Sequence, residues 1–98
     1  MAEGWSGVVP GASDAERATR VAGALAEAGI VSLRLRGPDG SERELRARTT
    51  DLPGVLATAA AGTVIESSDG TVRVTIEKDR WEWWTATEAV ALGPLASL

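Results

Sequence analysis

The chain has 98 residues, a formal net charge of −4 at pH 7, and no His, Cys, Phe or Tyr. A chain of this length forms one domain with a single modest core, and the absence of Cys excludes disulfides and thiolate metal sites. The absence of His removes the commonest general base and the commonest metal ligand, so we expect a non-catalytic protein with no cofactor and no metal.

The start of the chain and its charge bear on location and partners. Residues 1–5 contain neither a basic segment nor an apolar one, so no signal peptide is expected. No apolar run approaches the roughly 18 residues of a membrane span. Nucleic-acid-binding proteins usually carry a basic surplus, so the acidic balance disfavours nucleic acid as a partner. We therefore expect a cytoplasmic protein that contacts another protein and no membrane.

A short strand and an amphipathic helix open the predicted fold. Residues 5–9 read as a weak strand that ends at Pro10, which cannot donate to a strand ladder. Ser13 and Glu16 are spaced as a capping box, which predicts a helix that begins here. Apolar side chains recur at helical spacing up to Gly29, a residue typical of a helix end.

Two segments of alternating polarity flank the turn cluster 37–40 and predict a hairpin. The core-facing residues expected on its first strand are Val31, Leu33 and Leu35. A three-residue loop brings Leu35 opposite Leu45 and thereby matches the two apolar faces, which a two-residue loop does not. In the same register, Leu33 faces Ala47.

A second, shorter helix is predicted to follow this hairpin. Residues 49–51 offer capping side chains, Leu52 and Pro53 fall in the first turn, and Gly62 lies past the end. The apolar stripe expected on this helix consists of Leu52, Val55, Leu56 and Ala59.

The dipeptide Asp69-Gly70 predicts a second hairpin with a two-residue turn. That turn pairs Ile65 with Val74 on the core face. It also pairs Glu66 with Arg73 on the opposite face, where the two charges are complementary.

Three of the four tryptophans lie in the segment 81–84. If this segment returns as a strand, Trp81 faces Ile76 and Trp83 faces Val74. Both rings then fill the space between sheet and helices, as aromatic strand residues commonly do.

The third ring of the segment has a different expected position. In the same register Trp84 lies on the face away from the core, opposite Arg73, where a cation–π contact is expected. The alternative is a single helix over 80–92, which would remove this assignment. Residues 85–88 also form a second capping box, which predicts a short helix through Leu92.

The predicted fold class is α+β, a two-layer sandwich in which a mainly antiparallel sheet is packed by two helices. The expected order is β-α-β-β-α-β-β, with a further strand at 80–85 and a short C-terminal helix as additions. Residues 1–98 form a single domain in this interpretation, and residues 1–4 and 94–98 are expected to fray.

Five of the ten basic residues lie between positions 34 and 48. Those expected on the non-core face of the first hairpin are Arg34, Arg36, Arg46 and Arg48. They predict either a binding patch for an acidic partner or a solvated face on which Arg36 pairs with Glu44. No aromatic residue is interleaved among them, which disfavours the stacking of nucleic-acid bases.

The leading functional hypothesis is a non-catalytic protein-interaction domain, such as an accessory subunit, an adaptor, or an antitoxin or immunity-type inhibitor. Its predicted partner-binding residues are Trp84, Arg73, Arg34, Arg36, Arg46 and Arg48. One alternative is a small-ligand pocket or minor enzyme lined by Trp5, Trp81 or Trp83. Another is a structural module that forms homo-oligomers through an exposed strand edge.

Overall fold

The computed structural model describes residues 5–27, 29–46, 52–78 and 80–86, which form a six-stranded antiparallel sheet and two helices. The elements are β1 (Trp5–Val8), α1 (Asp14–Glu27), β2 (Ser32–Arg36), β3 (Glu42–Arg46), α2 (Leu52–Ala57), β4 (Val64–Ser67), β5 (Val72–Ile76) and β6 (Trp81–Thr85). The strands are ordered β1-β6-β5-β4-β2-β3. The predicted α+β class is confirmed, and so is the further strand at 80–85. The expected fraying of residues 1–4 and 94–98 concerns positions outside the described residues.

Helix α1 begins at the predicted capping box. The Glu16 N–H donates to Ser13 Oγ at 3.2 Å, as predicted. The Glu16 carboxylate, however, accepts its bond from the Ala12 N–H at 3.1 Å, one residue before the donor of an ideal box. Both bonds satisfy donors that the helix itself leaves unpaired.

The end of α1 determines where the next strand can start. The Gly29 N–H donates to the Ala26 C=O and the Ile30 N–H donates to the Leu25 C=O, both at 3.1 Å. Gly29 has a φ of +76°, and these two bonds define a Schellman motif. The chain enters β2 only at Ser32, so Val31 precedes the strand and is 69% exposed. The prediction that Val31 faces the core is wrong.

Strands β2 and β3 pair two residues away from the predicted register. Leu33 lies opposite Leu45, and Leu35 lies opposite Arg43. The predicted pairs Leu35–Leu45 and Leu33–Ala47 are therefore wrong. A shift of two residues preserves the face on which each side chain lies, so the predicted division of this hairpin into two faces is correct.

The loop between β2 and β3 explains the shift. The Gly37 N–H donates to the Ser41 C=O at 2.8 Å, and the Gly40 N–H donates to the Gly37 C=O at 3.0 Å. The loop thus has the predicted length of three residues, and these residues are 38–40. Gly40 has a φ of +90°, as expected after a type I turn that has Pro38 in its first central position. Turn chemistry therefore overrides the apolar pattern here.

Helix α2 is shorter than predicted. Leu52 and Leu56 are fully buried, but the helix ends at Ala57, well before Gly62. The Gly62 N–H donates to the Ile76 C=O at 2.7 Å, so Gly62 already adjoins the sheet. The predicted capping residues 49–51 lie outside the described residues.

Strands β4 and β5 confirm the predicted register, with Ile65 opposite Val74 and Glu66 opposite Arg73. The two-residue turn is wrong, because the connection spans residues 68–71. A two-residue type I′ turn needs a positive φ at Asp69, and no described residue other than glycine has one.

The Ser67 side chain closes this wider loop. Ser67 Oγ accepts bonds from the Thr71 N–H at 3.1 Å and the Val72 N–H at 3.0 Å. It also donates to the Asp69 carboxylate at 2.7 Å. A side-chain oxygen thus replaces the backbone acceptor that a tighter turn would supply.

Strand β6 confirms the interpretation of the tryptophan segment. Trp81 lies opposite Ile76, and Trp83 lies opposite Val74. The alternative of one helix over 80–92 is wrong, because residues 81–85 are a strand. The predicted short helix through Leu92 lies outside the described residues, apart from Thr85, which ends β6, and Ala86, whose N–H donates to the Thr71 C=O.

The core lies between one face of the sheet and the two helices. It consists of Val9, Ala18, Val21, Ala24, Leu25, Ile30, Leu33, Leu35, Leu52, Leu56, Ile65, Val72, Val74, Ile76, Trp81 and Trp83. Strands β2, β5 and β6 contribute alternate residues to it and β4 contributes Ile65, as expected for a sheet with one covered face. Neither described helix is long and apolar enough to span a membrane.

Candidate functional site

The face of the sheet opposite the core carries those predicted partner-binding residues that the structure describes, and we call it the open face. Both described helices bury their apolar side chains on the other face. The open face consists of Ser6, Val8, Ser32, Arg34, Arg36, Glu42, Glu44, Arg46, Val64, Glu66, Arg73, Thr75, Glu82 and Trp84. It is the surface from which a site of the predicted kind has to be built.

Trp84 and Arg73 form the predicted pair on this face. They lie directly opposite each other on β6 and β5, and the Arg73 guanidinium carbon lies 5.3 Å from the centroid of the Trp84 ring. This distance falls within the range of a cation–π contact. Arg73 also lies 3.6 Å from the Glu66 carboxylate. The guanidinium is therefore held between an aromatic ring and a carboxylate.

A depression of about 380 Å³ surrounds this pair at one end of the open face. Its lining residues are Ser6, Gly7, Val8, Arg73, Thr75, Glu82, Trp83 and Trp84. Val8, on its rim, is 51% exposed and is one of two large apolar residues that are exposed in the described part of the chain. The depression thus combines an aromatic ring, an aliphatic side chain and both signs of charge.

The predicted arginine patch is neutralised by glutamates. Arg36 lies opposite Glu42, not Glu44 as predicted, and the Arg36 Nε–Glu42 Oε2 distance is 3.2 Å. Arg34 has Glu44 opposite it on one side and Glu66 on the other. An exposed ion pair such as Arg36–Glu42 contributes about 0–1 kcal/mol.

The charges of the described open face therefore balance. Its four basic residues are Arg34, Arg36, Arg46 and Arg73, and its four acidic residues are Glu42, Glu44, Glu66 and Glu82. The face has a mixed charge pattern, which suits a partner surface of mixed charge better than a polyanion. The predicted site residue Arg48 lies outside the described residues.

Trp81 and Trp83 occupy the core, not the surface. Trp81 is fully buried, and Trp83 is 8% exposed. Neither indole N–H has a hydrogen-bond partner among the residues that the structure describes. The side chain of Trp5, the third residue of the predicted ligand pocket, lies outside that description.

Sequence reasoning did not identify Arg43 as a site residue. This side chain lies on the core side of the edge strand β3, where it is exposed, and forms no ion pair with another described residue. It borders a cleft of about 230 Å³ that is lined by Leu35, Gly37, Ser41, Arg43, Val55, Thr58, Ala59 and Thr63. The sequence feature that could have identified Arg43 is its position on the core-facing side of a predicted strand, where arginine is unusual.

Two aspartates in the hairpin loops have lowered pKa values. Hydrogen bonds from the side chains of Ser67 and Thr71 and from the Thr71 N–H lower the pKa of Asp69. The backbone and side chain of Ser41 lower the pKa of Asp39 in the same way. Each aspartate stabilises its loop in the ionised form, and both are structural features of the turns.

Acidic side chains do not gather into a metal site in the described ranges, where no group of three or more potential ligands converges. No family model, curated protein sequence or solved structure matches this chain. The candidate site therefore depends on the geometry of the open face alone.

Proposed function

We propose that this protein is a non-catalytic interaction domain that binds a partner protein through the open face, with Trp84 and Arg73 at the centre of the contact. The observation that carries the proposal is the half-buried Trp84 ring, stacked with a guanidinium on a sheet face that the described helices leave uncovered. Tryptophan and arginine are the residues most enriched among those that dominate binding energy at protein interfaces.

The restricted freedom of the Arg73 side chain also supports the proposal. Because Arg73 is held by both Glu66 and the Trp84 ring, less side-chain freedom is lost when a partner binds. The exposed Val8 next to the pair adds apolar area to the same contact. A centre of this kind with a charged surrounding matches the usual anatomy of protein interfaces.

The balance of charge points to the chemistry of the partner. Four arginines and four glutamates alternate on the described open face, so the complementary surface has both signs of charge around an apolar centre. An accessory subunit, an adaptor, or an antitoxin or immunity-type inhibitor acting in the cytoplasm fits this description. Nucleic acid does not, because the face has no basic surplus.

The proposal is tested by affinity capture with matched variants. Tagged wild-type protein, Trp84→Ala and Arg73→Ala would each be incubated with extract of the source cells, and the captured protein would be quantified. The control is Val31→Ala, which removes an exposed apolar side chain that lies next to β2, three strands away from Trp84. We expect Trp84→Ala to weaken capture by about tenfold or more and the control to leave it unchanged.

Two further variants map the extent of the contact. Arg34 and Arg46 lie on β2 and β3, three and four strands away from Trp84 on β6. Arg34→Glu and Arg46→Glu should therefore weaken capture less than Trp84→Ala does. If Trp84→Ala and Arg73→Ala both fold and retain full capture, the proposed surface is wrong.

A further inference from the structure

Among the described residues the sheet has two edge strands, β1 and β3, and they differ in charge. Four of the five residues of β3 are charged, which is a common protection against pairing with other chains. The four residues of β1 carry no charge. The edge formed by β1 is therefore the one at which an added strand meets no charged side chain.

The hydrogen-bond pattern shows which groups of β1 point outwards. The Val9 N–H donates to the Trp81 C=O at 2.8 Å, and Gly7 lies opposite Trp83 in the same register. Bonded pairs alternate along an antiparallel ladder, so Gly7 and Val9 direct their backbone groups towards β6. Ser6 and Val8 direct theirs away from the sheet, and no described residue pairs with those groups.

Gly7 lies between these two residues and makes the edge accessible. The Trp83 ring covers it, because a Cβ atom at Gly7 would lie 2.7 Å from Trp83 Cζ2. No side chain projects from Gly7 itself. A second backbone can therefore approach to about 4.5 Å between Cα atoms, the spacing of a pair that shares no hydrogen bonds.

We propose that two copies of this chain pair through β1 in antiparallel orientation, with a two-fold axis at Gly7. Ser6 of each copy then exchanges both backbone hydrogen bonds with Val8 of the other, and the two six-stranded sheets become one continuous sheet. The contact is isologous, since the same residues contribute from both sides.

A second copy suits this edge for two reasons. The outward-facing residues are placed symmetrically about Gly7, so the edge is complementary to itself. Both copies are acidic, with a net charge of −4, and an uncharged strand lets them meet without placing like charges in contact. Pairing also covers Val8, which is 51% exposed in the single chain.

The dimer has a consequence for the open face. The row Arg73, Trp84 and Ser6 runs across β5, β6 and β1. In the paired sheet this row continues to Val8 of the second copy. The two depressions around Trp84 thereby become one surface that spans the two-fold axis. The contact through four-residue strands is small, so we expect a weak dimer.

The first test measures mass against concentration. Sedimentation velocity from the low micromolar to the millimolar range should show the wild-type mass rising from one chain towards two. Val8→Lys introduces a charge at the edge without removing any backbone bond, and Ser6→Pro removes one outward N–H. Each should weaken dimerisation by about tenfold or more. The control is Glu44→Pro, which removes an outward N–H from the other edge strand, β3.

The second test locates the contact by amide hydrogen exchange. Exchange of the Ser6 and Val8 amides should slow as concentration rises, whereas the Gly7 and Val9 amides should be protected at every concentration. A chain that stays monomeric up to millimolar concentration overturns the proposal, as does a dimer that is lost in Glu44→Pro but not in the β1 variants. Neither result bears on the proposed binding of another protein through Trp84, which is tested separately by affinity capture.

Discussion

The two faces of β6 place tryptophans in opposite environments within four residues. Trp81 and Trp83 point into the core, where Trp81 is fully buried. Trp84 points to the open face, where its ring contacts a guanidinium and borders a depression. Alternation along one strand thus places residues of the same type in the core and on the surface.

Truncation of a core ring tests the difference between the two faces with the largest expected effect. Trp81→Ala removes the largest fully buried side chain of the described core and should lower the free energy of unfolding by about 3–5 kcal/mol. Because a domain of this size has a stability of about 5–15 kcal/mol, the variant should remain partly or fully folded at low temperature. Urea denaturation measures the change. A loss no larger than that of Trp84→Ala would contradict the difference between the faces.

A smaller effect is expected from adding one methyl group beside the second core ring. In Gly7→Ala the new Cβ would lie 2.7 Å from Trp83 Cζ2, so the ring or the strand must shift. Overpacking of this kind costs about 1–3 kcal/mol. The matched control is Gly23→Ala on α1, where a Cβ meets no atom within 4 Å. The control should be stabilised by about 0.5–1 kcal/mol, and thermal unfolding distinguishes the two signs.

Removal of one hydroxyl tests the polar part of the core face. Ser67 is 4% exposed, and its Oγ accepts the Val72 N–H at 3.0 Å. Ser67→Ala leaves this buried donor without its partner, which should cost about 1–3 kcal/mol. Ser6→Ala on the exposed edge is the control and should change stability little. Equal stability of the two variants in urea would show that the Ser67 bond contributes nothing.

The registers show which parts of the fold are predictable. The pairing of β5 with β6 was predictable because only residues 77–80 separate the two strands, and a connection this short sets the register in which Trp81 faces Ile76. The pairing of β2 with β3 was not, because a shift of two residues keeps the same apolar face. There the turn residues Pro38 and Gly40 decide the register.

The candidate site was predictable to a similar extent. Alternation placed Trp84 and Arg73 together, and the structure brings them to 5.3 Å. The balance of arginines by glutamates was harder to predict, because it depends on the pairing of strands that are distant in sequence, which places Glu66 opposite Arg34. Strand order, and with it the identity of the uncharged edge, depends on tertiary packing that local pattern does not contain.

The smallest expected effect is the coupling energy between Trp84 and Arg73 on the open face. A double-mutant cycle of Trp84→Ala and Arg73→Ala isolates the energy of their contact. Because Arg73 is about half exposed, water screens the pair and we expect a coupling of about 0.5–1 kcal/mol in urea denaturation. If the same cycle is carried out on partner binding, the coupling should be larger, since a bound partner excludes water from the pair. Equal coupling in both measurements would mean that the Trp84–Arg73 pair stabilises the fold alone. The proposal that this pair forms the centre of a binding site would then be wrong.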